Sequence, residues 1–156
     1  MTLDLEPPSG VLLRPAGPED FAFARRLYIE STDPLLKALG TWDEGAVTKR
    51  FENAYLRRPS QVICADDNDI GWLQVSRNDT SLHLHQVHLV KSYRNRGIGS
   101  RLIRAVMARA KALALPLTLN VIRGNPAIAL YNRLGFRVVD EDKELLKMRW
   151  NTPGKP

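Results

Sequence analysis

Two neighbouring stretches of this 156-residue chain hold residue types that do chemistry when a fold brings them together. The first, Leu82-His83-Leu84-His85-Gln86-Val87-His88-Leu89, contains all three histidines of the sequence. Side chains alternate along a strand, so His83 and His85 share a face. An unperturbed imidazole titrates near ~6.5, the range needed to take up a proton at neutral pH. His88 reads as a partly exposed polar residue of a half-buried strand. The second stretch follows at once: Leu89-Val90-Lys91-Ser92-Tyr93-Arg94-Asn95-Arg96-Gly97-Ile98-Gly99-Ser100. Glycines in a strand-to-helix turn remove the side chains that would keep an anion from the backbone. The exposed N–H groups, reinforced by the helix dipole, can then cradle phosphate oxygens. A dinucleotide fingerprint would need a third glycine where Leu102 stands, and a P-loop would end in Gly-Lys-Ser/Thr. The loop therefore suits an anion without matching either nucleotide motif.

The charge distribution agrees. Thr80 to Val139 contains ten Lys or Arg and no Asp or Glu, whereas the rest of the chain has 13 basic and 17 acidic residues, within a formal net charge of +6. The C-terminal half is thus expected to meet something anionic. A single cysteine, Cys64, excludes an intrachain disulfide and offers no thiolate metal cluster, so no metal is expected. With no basic-then-apolar leader and no apolar run long enough to span a bilayer, the reading is a cytoplasmic protein without membrane contact.

These residues need elements to position them. Val11–Pro15 reads as a short strand. Pro18-Glu19-Asp20 opens an amphipathic helix that Pro34 should limit, and a second helix is expected from near Asp43 to Leu56. Gln61–Ala65, Ile70–Ser76 and Leu82–Val90 read as an antiparallel meander separated by turn-forming clusters. After the glycine loop, Leu102, Ile103, Val106, Ala110 and Leu113 keep a helical period, and Leu117–Ile122 is strand-like. Asn125-Pro126 starts a short helix closed by Gly135, and strands follow at Phe136–Val139 and Leu145–Trp150. The order β, α, α, β, β, β, α, β, α, β, β describes one domain over 1–150 with a frayed tail over 151–156, a mixed sheet with helices on its faces. The strands flanking the glycine-loop helix should be parallel.

Arg94, Gly97 and Gly99 as R-x-x-G-x-G after a strand end resemble the pyrophosphate loop of the GNAT superfamily of acyl-CoA N-acyltransferases. About 25 residues on, Asn125-Pro126-Ala127-Ile128-Ala129-Leu130-Tyr131-Asn132-Arg133-Leu134-Gly135-Phe136 is similar to that superfamily's Asn, Ala, Leu-Tyr and Gly-Phe signature. The resemblance implies an α/β fold with a central mixed antiparallel and parallel sheet of six to seven strands flanked by about four helices. It also implies acetyl transfer from acetyl-CoA to a primary amine by direct attack in a ternary complex. The backbone of Leu89 and Val90 would then pair with the pantetheine amides. Arg94, Asn95, Arg96, Gly97, Ile98, Gly99 and Ser100 would hold the pyrophosphate, Asn125 the cofactor arm, and Tyr131 would sit beside the acetyl sulfur. Many relatives have one more residue between the Asn and the Tyr, which sets Gly124 as the alternative to Asn125.

A phenol near ~10 can deliver a proton to a thiolate near ~8.5 without ionising at neutral pH, which suits Tyr131 as the acid. Asn120 stands where some peptide-acetylating relatives place a catalytic Glu, so no carboxylate base is expected from that strand. The spacing of His83 and His85 before the loop resembles the paired histidines of arylalkylamine N-acetyltransferase, which relay the amine proton through water. Tyr28, Trp42, Tyr55 and Trp72 are candidates for lining the amine pocket or for filling the core. The acceptor is a small-molecule or peptide amine, a homodimer is allowed, and no nucleic acid is expected. Two alternatives stay open: a basic nucleic-acid-binding module, and an acyl-CoA-binding domain without catalysis.

Overall fold

The computed structural model describes residues 3–153. Among them run β1 (Leu12–Pro15), α1 (Phe21–Leu39), α2 (Glu44–Arg57), β2 (Gln61–Ala65), β3 (Asn68–Arg77) and β4 (Leu82–Leu89). Then follow α3 (Ile98–Leu113), β5 (Leu117–Ile122), α4 (Ala127–Arg133), β6 (Arg137–Glu141) and β7 (Leu145–Trp150). The mixed α/β architecture, with seven strands and four α-helices, is the one the sequence leads us to expect. β2, β3 and β4 pair antiparallel as a meander, and β4 pairs parallel with β5 across the α3 crossover.

The order across the sheet is β1-β2-β3-β4-β5-β7-β6, so the last strand inserts between β5 and β6. Two cores result. Leu82, Leu84, Leu102, Val106, Leu117, Leu119 and Met148 pack beneath α3, while Leu27, Tyr28, Leu36, Phe51 and Trp72 pack beneath α1 and α2. The amphipathic period of each helix fixes which sheet face it covers.

Pro34 does not end α1, which runs on to Leu39. A proline in a helix forfeits one backbone bond and crowds the preceding turn. Two features downstream hold the helix together. Leu36 is buried to 1% exposure, and Gly40, at φ 74°, donates its N–H to the carbonyls of Leu36 and Lys37. α2 begins where Asp43 accepts from the N–H of Ala46 at 2.9 Å. The expected tail is anchored at Thr152, which is 5% exposed and donates to the carbonyl of Leu115 at 2.6 Å. Its last three residues, 154–156, lie outside the described residues.

Two irregularities open the site. The parallel ladder of β4 with β5 holds only Leu82↔Leu117, His83↔Thr118 and Leu84↔Leu119, after which the strands part. On its other side, β4 slips register against β3: Gln74 opposes Gln86 and Val75 opposes Leu84, leaving His85 as a bulged residue. A bulge inserts one residue and re-aims the side chains beyond it.

Candidate active site

Where β4 and β5 part, a cleft of about 260 Å³ opens, walled by α1, α2, β4, β5 and the start of α4. His83, His85 and His88 all line it. The first two share a face as alternation requires, with ring centroids 4.5 Å apart. His88 joins them because the bulge at His85 restores it to their side, an effect that hydrophobic periodicity cannot reveal. Each ring is held by a hydroxyl: His83 Nδ1 to Thr118 Oγ1 at 2.7 Å, His85 Nε2 to Ser76 Oγ at 2.6 Å, and His88 Nδ1 to Ser31 Oγ at 2.9 Å. His88 Nε2 lies 2.7 Å from Gln86 Oε1, so a neutral His88 donates to Gln86 from Nε2 and accepts from Ser31 at Nδ1.

The histidines leave the range expected of them. Burial, aided by Lys147 and Arg58, lowers the pKa of His83. Burial, then His83 and Arg58, takes His85 to about 4. Burial and then Arg94 take His88 to about 4. All three are therefore neutral at pH 7 and serve as hydrogen-bonding rings rather than as imidazolium.

Tyr131, on α4, lines the same cleft with its ring 5.6 Å from that of Phe136. Its hydroxyl has no hydrogen-bond partner among the described residues. Burial pushes its pKa up to about 12, so it keeps its proton throughout the neutral range. Asn125 also reaches the cleft, but its Oδ1 caps α4 by accepting from the N–H of Ala127 at 2.9 Å. Only its amide N–H groups remain to offer a ligand. Gly124, the alternative, sits at φ 86° and makes the turn between β5 and α4.

The glycine loop begins at the end of β4. Asn95 at φ 61° and Gly97 at φ 80° both adopt left-handed backbone. α3 starts at Ile98 with no side chain capping it and no acidic residue in its first turn. The N–H groups of Ile98, Gly99 and Ser100 are thus left for a ligand. The approach is open: a Cβ at Gly97 would meet nothing within 4 Å, and one at Gly99 only Leu89 Cδ1, at 4.0 Å. Ile98 can contribute its backbone alone, since its side chain is 6% exposed in the core. Arg96 lies over the Tyr93 ring at 4.8 Å. An uncapped helix start that follows Arg96 and has no acidic residue in its first turn fits a pyrophosphate.

Two expected contacts are placed differently. The Val90 N–H donates to Ile70 and its carbonyl accepts from Tyr93, so both its backbone groups are engaged within the protein. Antiparallel bonding alternates, so Val87 and Leu89 are the residues whose N–H and C=O turn toward the opened edge. Arg94 turns away from the loop: its Nε donates to the Leu89 carbonyl at 2.8 Å, and its guanidinium lies 3.8 Å from Glu30. Of the four aromatics, Tyr28 alone lines the cleft. Trp72 is fully buried, Tyr55 donates to the Gly17 carbonyl, and Trp42 is capped by Lys37 at 4.6 Å. Sequence reasoning missed Ser31, Arg50, Gln74 and Gln86 in the cleft wall; polar residues scattered over α1, α2, β3 and β4 form no local motif.

The acetyltransferase (GNAT) family signature matches residues 22–136. The chain belongs to this family. No curated protein matches it. Among solved structures, it is similar to the PaiA N-acetyltransferase of Thermoplasma acidophilum in complex with coenzyme A, with 21% identity over 90% of this chain and 98% of that one and a TM-score of 0.69. A GNAT acetyltransferase of Elizabethkingia anophelis with acetyl-CoA bound is 13% identical over 92% and 99% of the two chains, with a TM-score of 0.65. Arabidopsis thaliana Naa50 in complex with the bisubstrate analogue CoA-Ac-MVNAL is 16% identical over 91% and 99%, with a TM-score of 0.62. At these identities the likeness is one of fold. Among the described residues, no helix of this GNAT chain is long and apolar enough to cross a membrane.

Proposed function

We propose that this GNAT protein transfers an acetyl group from acetyl-CoA to a primary amine, by direct attack with both substrates bound. The observation that carries the reading is that the Tyr131 hydroxyl, unpartnered among the described residues, and the His83–His85 pair open onto one cleft, while β4, which bears the histidines, leads into a helix start with no side-chain cap among the described residues. Coenzyme A, when bound, supplies the acetyl thioester. Gly97, Ile98, Gly99 and Ser100, with Asn95 and Arg96, hold the pyrophosphate through backbone N–H groups and positive charge. Val87 and Leu89 offer the free edge of β4 to the pantetheine arm, and Arg94 leaves the Leu89 carbonyl to let it in. Asn125 contributes its amide N–H.

Tyr131 holds a proton at its hydroxyl for the departing sulfur. A phenol pushed up to about 12 is a weak acid but a permanent donor at neutral pH. The amine must shed its proton. Where the Thr118 hydroxyl donates to the Leu82 carbonyl, 3.3 Å away, His83 donates from Nδ1 and leaves Nε2 as an acceptor. The His83–His85 pair then relays the proton through water, while the low pKa of both rings keeps them from abstracting it alone. Thiol release from acetyl-CoA over a panel of small amines and short peptides tests the proposal. Release dependent on an amine supports it; acetyl-CoA binding without release from any amine would reduce the protein to a binding domain.

A further inference from the structure

Among the described residues Arg50 is the single charged side chain that lines the cleft, and no carboxylate lines it. The histidines there are neutral at pH 7, so they supply no countercharge. Arg50 projects from α2 one helical turn before Ala54, whose carbonyl fixes Gln74 in the cleft wall by a 2.9 Å bond from Nε2. Its guanidinium approaches Glu144, between β6 and β7 at the far lip, at 3.6 Å, a distance beyond hydrogen bonding. Glu144 thus shows that Arg50 can meet a carboxylate across the mouth of the cleft, without a bond that would hold it there. On β4, Gln86 adds a second donor: its Oε1 accepts a hydrogen bond from His88 Nε2 at 2.7 Å, which leaves its amide N–H groups for a ligand. The remaining acids of that lip are otherwise occupied. Asp142 Oδ1 accepts from the N–H groups of Glu144 and Leu145, and Glu141 pairs with Arg123 at 2.9 Å.

We propose that the acceptor is an amine that also carries a carboxylate, received by the Arg50 guanidinium with the Gln86 amide beside it, and that Glu144 fills that place until the substrate arrives. The inference rests on the acetyltransferase reading and names its acceptor class. An acceptor with only further cations, such as a polyamine, would bring its second charge against Arg50 and would have to compete with Arg50 for Glu144, the one carboxylate at the mouth among the described residues. A carboxylate would instead gain charge-assisted bonds worth roughly a tenfold or greater preference.

The test compares amino acids with their carboxamides and with linear diamines, in wild type, Arg50→Gln and Glu144→Gln. It reads thiol release and, separately, calorimetric binding of the same compounds to the protein–coenzyme A complex. Arg50 is half-exposed, and a melting curve checks that the variant folds. The expected result is a preference for the amino acid of about tenfold or more, abolished through KM in Arg50→Gln, with KM for the amino acid lowered in Glu144→Gln. Equal use of acid and amide, a preference for diamines, or a preference that survives Arg50→Gln would overturn the proposal while leaving the acetyltransferase reading intact. Arg50-dependent binding of amino acids without thiol release from any amine would keep the carboxylate site at Arg50 but remove the transferase reading, and with it the assignment of an acceptor.

Discussion

At the scale of single residues, Tyr131 and the histidines divide the proton chemistry. Tyr131→Phe deletes one hydroxyl and keeps the ring packed against Phe136. If the phenol supplies the sulfur's proton, turnover falls by roughly 10² to 10⁴ while KM for acetyl-CoA stays near wild type. A hydroxyl without a partner contributes little to folding, so the melting temperature should barely move; normal turnover would remove Tyr131 from the chemistry. For the base, the signs of the pKa shifts matter. Burial lowers His83 and takes His85 to about 4, so both rings are neutral at pH 7 and His85 stays neutral as pH falls through 6. The double change of His83 and His85 to Gln should therefore lower turnover by about 10² across the neutral range and leave the limb set by the amine's own ionisation, above pH 7, where it was. Turnover unchanged in the double variant would place the relay elsewhere.

At the scale of elements, the two loop glycines are not equivalent. Gly97 sits at φ 80°, a conformation that a β-branched side chain pays for heavily. Gly97→Val therefore mixes lost stability with lost binding. Gly99 has ordinary backbone and meets only Leu89 Cδ1 at 4.0 Å, so Gly99→Val isolates the role of the loop. The expected outcome is a melting temperature within a few degrees of wild type and acetyl-CoA affinity weakened at least tenfold by calorimetry. Unchanged affinity would take the loop out of the site. The loop was legible in the sequence because its physics is local: glycine spacing, a strand before it and a helical period after it. So were β2, β5 and β7, whose ends fall where turn residues or proline break the pattern. The bulge at His85 was not legible, since a one-residue slip between β3 and β4 leaves no trace in residue types, and with it went the placement of His88. Arg50 was missed because it meets the histidines only through tertiary packing, and the run of α1 past Pro34 depends on burial of Leu36 that no local rule contains.

At the scale of the whole molecule, stability and the site share the same buried imidazoles. His85 and His88 fall from a reference of 6.5 to about 4 in the folded chain. Between those values the unfolded chain binds more protons, so stability is complete above pH 6.5 and is lost as pH falls toward 4. For His88 the shift corresponds to roughly 3 kcal/mol, and for the half-buried His85 solvent screening makes the contribution smaller. The melting temperature should drop steeply from pH 7 to pH 4.5, and less steeply in His88→Gln; equal slopes would mean that His88 is not the group responsible. The three-rung ladder between β4 and β5 has a consequence for the backbone itself. Along β4 the amides face alternately toward β3 and toward the seam, with Val90 bonded to Ile70 on the β3 side. The amide hydrogens of Val87 and Leu89 should therefore exchange with deuterated water far faster than that of His88 between them. Saturating acetyl-CoA should slow the two and leave the third alone, so that an alternating pattern of protection along one strand would report the cofactor arm lying in the seam as a surrogate strand.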